Sequence, residues 1–258
     1  MTSTHLKNCT IVVTRPARLA DKLNKQLEEL GANVVHFPVI AISAAKNTEH
    51  VLAQARALGT YDIAIFISRN AAIFGSTLIK KTGGWPPETQ IASIGAGTAQ
   101  QLDEMGISTD IIAQGTSNST SLLKTPAMNS VKGKRILIFR GIGGKEELAD
   151  NLRKRGASVD YLECYERKMP NSNTEILSDL WHRDAMNGII LTSSEGLMNL
   201  YKMVKKEDLV HLNTTPLYVI SSTMVELCGK LGYKSTPILM PSAANEDVLR
   251  SVLANCAT

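Results

Sequence analysis

Short stretches of this 258-residue chain combine hydroxyl, amide and guanidinium groups: Thr14-Arg15-Pro16, Ser68-Arg69-Asn70, Gly95-Ala96-Gly97-Thr98, Gly115-Thr116-Ser117-Asn118-Ser119, Arg140-Gly141 and Thr192-Ser193-Ser194. Each follows a run of apolar residues and precedes a helical pattern. Hydroxyls and main-chain N–H groups at helix starts suit anionic ligands. Arg15 and Arg140 add fixed positive charge and can grip a carboxylate with a bidentate fork. Ser, Thr and Asn at such positions also serve as helix caps. The chemistry implied is retention of a polyanion by many donors, with rate gained by fixing its conformation and stabilising developing charge.

Other chemistries find no support. Gly95-Ala96-Gly97 lacks the third glycine of a dinucleotide fingerprint, and RGIGGKEE lacks P-loop spacing. The five histidines are scattered without HExxH or zinc spacing, and no GxSxG elbow occurs. Acidic residues are rare at the strand ends, which disfavours a Mg²⁺ site. The expectation is therefore a site with neither cofactor nor metal.

The elements that must position these groups follow from periodicity. The segment from Thr10 (TIVVTRPARLADKLNKQLEELGANVVHF) is echoed from Lys134 (KRILIFRGIGGKEELADNLRKRGASVDYL). A shift of 125 (140 − 15) matches Arg15 with Arg140, Leu23 with Leu148, Leu27 with Leu152, Gly31 with Gly156 and Ser68 with Ser193. One residue later in register, at 126 (232 − 106), Gly106 matches Gly232 and Leu123 matches Leu249. Expected strands are 10–14, 33–37, 62–67, 91–94 and 110–113, then 135–139, 158–163, 188–192, 217–220 and 237–240. Expected helices include 17–30, 50–58, 70–80, 97–105, 117–124 and 144–155. Nearly all-apolar strands alternating with helices predict parallel sheets covered on both faces, hence two similar doubly wound α/β domains. Ligands of such sheets bind beyond the carboxyl ends of the strands, where the polar stretches lie.

Composition sets outer bounds. Hydrophobic residues make up 43% and charged residues 20%, an ordinary globular balance. Lys and Arg total 28 against 24 acidic residues, a net charge of +4 with no dense basic tract, so nucleic acid is not expected. No apolar run approaches the roughly 18 residues of a membrane span, and the first residues read neither as a signal peptide nor as a transit peptide. A cytoplasmic, reducing setting is expected. The four cysteines at 9, 164, 228 and 256 contain no CxxC and form no disulfide scaffold.

The order and spacing of IVVTRP, FPVI, FISRNAA, IGAGTA, RGIGGKEELADNLRKRGA, YLECYER and LTSSEG resemble the uroporphyrinogen-III synthase family over nearly the whole chain. The resemblance implies two α/β domains facing each other across a cleft. One, 40–164, is continuous; the other joins 1–37 to 167–258; a two-strand linker, 36–40 and 163–167, connects them. It implies hydroxymethylbilane, an open tetrapyrrole with eight carboxylates, as substrate. Water leaves the ring A hydroxymethyl group, and ring D attacks through its substituted carbon to form a spiro intermediate. Rearrangement then inverts ring D on the way to haem, sirohaem and corrinoids, without cofactor.

Carried over residue by residue, the resemblance makes Tyr165 the candidate acid, with Thr98 also at the reacting end. Arg15, Ser68, Asn70, Gly97, Ser119, Arg140, Lys145, Ser193 and Ser194 become substrate-binding candidates. It also implies a monomer, with a transient hand-over from hydroxymethylbilane synthase. Three departures stand out. Met224 replaces an expected threonine, Glu195 a common serine, and Lys145 a frequent arginine. The alternative left by the residues alone is a non-catalytic two-domain binder of small anions, or a regulatory module.

Overall fold

The computed structural model describes residues 5–46, 48–116 and 118–256. In chain order its strands and helices begin β1 (Thr10–Val13), α1 (Ala17–Glu29), β2 (Asn33–His36), β3 (Ala41–Ala44), α2 (Glu49–Arg56), β4 (Ile63–Phe66) and α3 (Arg69–Thr82). Then come β5 (Gln90–Ser93), α4 (Ala96–Asp103), β6 (Ile111–Ile112), α5 (Ser119–Leu123), α6 (Pro126–Asn129), β7 (Arg135–Gly141), α7 (Glu147–Lys154) and β8 (Ser158–Lys168). The remainder is α8 (Glu175–His182), β9 (Gly188–Ile190), α9 (Ser194–Met203), α10 (Leu209–Leu212), β10 (Leu217–Val219), α11 (Ser222–Lys230), β11 (Ile238–Leu239) and α12 (Asn245–Cys256).

The chain divides into two compact units. Unit 1 is Met1–Ala41 with Lys168–Thr258, and unit 2 is Ile42–Arg167. The sheet of unit 1 runs β2-β1-β9-β10-β11, and that of unit 2 runs β3-β8-β7-β4-β5-β6. Pairings of β1 with β2 and β9, and of β7 with β4 and β8, are parallel. With β3 set aside, the two orders superimpose as β2/β8, β1/β7, β9/β4, β10/β5 and β11/β6. Each unit thus takes two strands from one sequence repeat and three from the other.

In unit 2, alternate strand residues enter two buried clusters. Ala64, Phe66, Leu137 and Phe139 pack with α2, α3 and α4; Ile63, Ile65, Ile136 and Ile138 pack with α5, α6 and α7. In unit 1, Ile11, Val13, Ile190 and Tyr218 meet Ala20, Leu23 and Leu27 of α1 and Val248 and Val252 of α12. The i, i+3, i+7 spacing of the α1 residues forms one apolar stripe. Burial of each leucine contributes about 1.5–3 kcal/mol. Gly31 (φ 94°) and Gly156 (φ 88°) end the paired helices α1 and α7 in the left-handed conformation that glycine adopts without a Cβ penalty.

Three features depart from expectation. Strand β3, at the edge of its sheet beside β8, has no counterpart in the repeat. The helix expected at 144–155 begins only at Glu147, because Gly144 and Lys145 belong to a loop that lies against Arg140. Cys9 and Cys256, 247 residues apart, are joined by a disulfide, tying the end of α12 to the start of β1. No local spacing announces that pair.

Candidate functional site

In unit 2 the strand order reverses between β7 and β4. From β4 the chain proceeds to β5 and β6; from β7 it proceeds to β8 on the other side. Helix α3 after β4 and helix α7 after β7 pack into different clusters. The two chains therefore part beyond the carboxyl ends of adjacent strands and leave a crevice, where open α/β sheets bind ligands. A cavity of about 310 Å³ lies there. Its lining includes Ser68, Asn70, Ser119, Arg140, Lys145 and Tyr165, all sequence candidates, over the apolar Ile67, Ile138 and Leu148. Tyr161 and Arg167 also line it and were not candidates.

Tyr165 reaches the cavity through a strand irregularity. Arg140 pairs with Glu163, but Gly141 pairs with Tyr165, so Cys164 is an extra residue in β8. Leu162, Cys164 and Tyr165 consequently share one buried cluster, whereas strict alternation would send Tyr165 to the opposite face. The ring, 5% exposed, stacks on Phe74 with centroids 5.9 Å apart. It covers Gly141 so closely that a Cβ there would lie 2.7 Å from two ring carbons. Its hydroxyl is 3.2 Å from Ser68 Oγ. Ser68 is the N-cap of α3, its Oγ accepting the Ala71 N–H at 3.0 Å. The pair of hydroxyls therefore sits at the positive end of a 14-residue helix. The neighbouring Cys164 thiol is pushed up to about 12 by burial, which keeps it protonated and unreactive at neutral pH.

Arg140 holds a loop. Its side chain is 3% exposed; Nη1 donates to Glu146 Oε1 at 2.8 Å, and the guanidinium carbon lies 4.3 Å over the Tyr161 ring. The Tyr161 hydroxyl donates to the other oxygen of Glu146. These bonds, Tyr161 first and Arg140 second, hold the Glu146 carboxyl below the usual carboxylate range. Lys145 makes no ion pair among the described residues.

The remaining candidates stand elsewhere. Gly97 and Thr98 lie at the start of α4 beyond β5, outside the cavity lining. Gly95 occupies the cap position there, so Thr98, buried, does not cap the helix. The Gly97 carbonyl accepts from Arg69 Nε at 3.1 Å. Ser117 lies outside the described residues, and Asn118 caps α5, whose first residue is Ser119.

In unit 1, Arg15 is buried and donates to Asn245 Oδ1 at 2.8 Å and to the Ala243 carbonyl at 2.6 Å; desolvation lowers its pKa. Ser193 caps α9 by accepting from Gly196 N–H at 3.0 Å, and Ser194 is the first residue of that helix. Glu195 occupies its first turn, where the helix dipole favours a carboxylate. Met224 is 1% exposed and belongs to the interior.

The sequence signals that could have exposed Tyr161 and Glu146 were present but indirect. Tyr161 alternates with Val159 along β8, and Glu146 closes the glycine loop that Arg140 opens.

Comparison with known proteins agrees with the architecture. The uroporphyrinogen-III synthase of Escherichia coli is 30% identical over 248 residues, covering 94% of this chain and 99% of the relative. That of Salmonella typhimurium is 28% identical over 245 residues, covering 94% and 99%. Among solved structures, a mutant uroporphyrinogen III synthase from Thermus thermophilus has a TM-score of 0.60 at 18% identity, covering 95% of this chain and 99% of that one. Uroporphyrinogen-III synthetase from Helicobacter pylori has a TM-score of 0.60 at 13% identity, with the same coverage. The family description "Uroporphyrinogen-III synthase HemD" matches residues 21–247, and the chain belongs to that family.

Proposed function

We propose that this protein converts hydroxymethylbilane to uroporphyrinogen III and water, and that the cavity at the β4/β7 switch point is where the reacting end of the substrate is handled. The observation that carries the reading is the Tyr165–Ser68 hydroxyl pair at the start of α3, in a cavity also lined by Arg140, Lys145 and Arg167. A phenol fixed by a neighbouring hydroxyl can donate a proton to the departing ring A hydroxyl. The C–O bond breaks, water leaves, and an azafulvenium cation remains. The substituted carbon of ring D attacks it to give the spiro intermediate. Its fragmentation and recombination invert ring D. Loss of the ring proton at the end returns a proton to the phenolate, so the cycle closes without a redox step.

In this reading the cationic groups bind acetate and propionate side chains. Lys145 and Arg140 serve in unit 2. Arg15, Ser193 and Ser194 serve in unit 1, with Asn70, Gly97, Thr98 and Ser119 supplying amide and hydroxyl contacts. Both units are taken as doubly wound, a reading supported in unit 2 by the two clusters that strand residues enter alternately. The reading includes action as a monomer in the cytoplasm, with substrate handed over by hydroxymethylbilane synthase. No described helix is long and apolar enough to cross a membrane. In reducing surroundings the Cys9–Cys256 bond is open to reduction, and Val248 and Val252 still hold α12 to the core.

The test is direct. Purified protein given fresh hydroxymethylbilane without added cofactor is expected to yield uroporphyrinogen III, read by chromatography of the oxidised products. Formation of the I isomer alone sinks the assignment.

A further inference from the structure

Arg140 lines the cavity with a side chain only 3% exposed, and a cation so buried requires a compensating charge. Glu146 supplies the nearer one, its Oε1 2.8 Å from Nη1, with the Glu163 carboxylate farther off at 3.9 Å from Nε; Tyr161 holds Glu146 Oε2 and stacks beneath the guanidinium. Of the two carboxylates, Glu146 is both the nearer and the more open to solvent, its side chain 55% exposed against 42% for Glu163. Glu146 occupies the cap position of α7, yet its side chain makes no capping bond. Its carboxylate is therefore held by Arg140 and Tyr161 rather than by the helix. The loop that carries it lies flat against the cation, since a Cβ on Gly144 would come within 2.7 Å of Arg140 Nη2. Its first residue is anchored by the main chain, Ile142 N–H donating to the Tyr165 carbonyl at 2.9 Å; beyond it the Ile142 side chain is 55% exposed and the Gly143 N–H reaches Glu163 at 3.4 Å.

We propose that Glu146 is a resident substitute for a substrate carboxylate. It occupies the Arg140 fork while the cavity is empty and is exchanged for an incoming carboxylate. Glu146 and Tyr161 are then positioning residues that set affinity. The inference rests on reading the unit 2 cavity as a polycarboxylate site. The exchange keeps an anion at Arg140 Nη1 throughout, with Glu163 as the more distant counter-charge at Nε, and the displaced Glu146 enters solvent it already touches. Lys145, next in sequence and without an ion-pair partner among the described residues, offers the incoming anion a second cation.

Removing the competing charge strengthens binding, whereas a merely structural loss weakens it. Steady-state kinetics with hydroxymethylbilane are expected to show KM lowered about three- to tenfold in Glu146→Gln with kcat little changed, the signature of altered ground-state binding. Tyr161→Phe shifts KM the same way by less. In an Arg140→Gln background, Glu146→Gln adds nothing, because the two act as one pair.

Calorimetric titration with mellitate, a compact hexacarboxylate, reads the same exchange without turnover. Glu146→Gln should bind it about three- to tenfold tighter than the wild type. Unchanged or weaker binding in a normally folded Glu146→Gln overturns the proposal. If that variant does not fold, an unchanged affinity in Tyr161→Phe overturns it instead. A wild type that makes no III isomer, while its Glu146→Gln variant binds mellitate more tightly, defeats the functional reading and leaves the exchange standing.

Discussion

The two units share a strand order and differ at the tips of equivalent strands. Arg15 follows β1 and Arg140 is the penultimate residue of β7, and both are buried. Arg15 is held by neutral oxygens of Asn245 and Ala243, with no carboxylate partner among the described residues. Arg140 is paired with Glu146 at 2.8 Å and more distantly with Glu163 at 3.9 Å. Ser193 and Ser68 cap equivalent helices with equal geometry, each accepting an N–H at 3.0 Å. Only Ser68 also meets a phenol, because the residue matching Tyr165 in unit 1 is Ile40 (165 − 125). A duplicated frame thus keeps what folding requires, a cap and a buried strand-end cation. It varies the surroundings: in unit 2 the capping serine meets a phenol and the arginine is paired with carboxylates, while in unit 1 the arginine is held by neutral oxygens.

The largest expected effect tests that asymmetry. Tyr165→Phe should lower kcat by about 10²-fold, the lower end of general acid contributions. The loss of one hydroxyl contact should cost stability only about 1 kcal/mol. Ile40→Val, at the matching position, should cost about 1 kcal/mol as well and leave kcat nearly unchanged. Parallel measurement of turnover and denaturant midpoint decides. Equal turnover in Tyr165→Phe and wild type would remove the phenol from the chemistry and erase the distinction between the units.

A smaller effect sharpens the comparison of the caps. Ser68→Ala and Ser193→Ala should each lose about 1 kcal/mol of stability, since both leave a helix N–H without its acceptor. Ser68→Ala should in addition lower kcat several-fold, because the Tyr165 hydroxyl loses its neighbour, while Ser193→Ala should act on KM alone. Matching kcat losses in the two variants would mean that capping, and nothing more, underlies both.

The strand ends were legible because apolar strands and helical stripes place them with little help from tertiary structure. Thr10–Val13, Ile63–Phe66 and the Leu148/Leu152 stripe lie where their residues alone put them. From those ends Ser68, Asn70, Ser119 and Arg140 could be selected, the family resemblance added Lys145 and Tyr165, and the structure gathers all six around one cavity. Three things were not legible. The extra residue in β8 that turns Tyr165 depends on register against β7, which no single strand encodes. The capture of Arg140 by Glu146 depends on a loop path permitted by Gly144, where the helical pattern of GKEELADNL suggested an earlier helix start. The Cys9–Cys256 bond joins positions whose proximity only the completed sheet and α12 establish.

The smallest expected effect concerns acid stability and separates the two arginines by charge. The Glu146 carboxyl titrates below its ordinary value because Tyr161 and Arg140 favour the ionised form. A folded-state pKa below the unfolded value of 4.5 means that the contribution is fully present above that pH and is lost as pH falls through the folded-state value. Between about pH 6 and pH 3.5, the wild-type unfolding midpoint should therefore fall more steeply than that of Glu146→Gln, which has no proton to bind there. Arg15→Gln should leave the acid slope of the wild type intact, since no carboxylate among the described residues pairs with that guanidinium. If Arg15→Gln flattened the slope as Glu146→Gln does, a carboxylate coupled to Arg15 would have to exist, and the two strand-end cations would be alike.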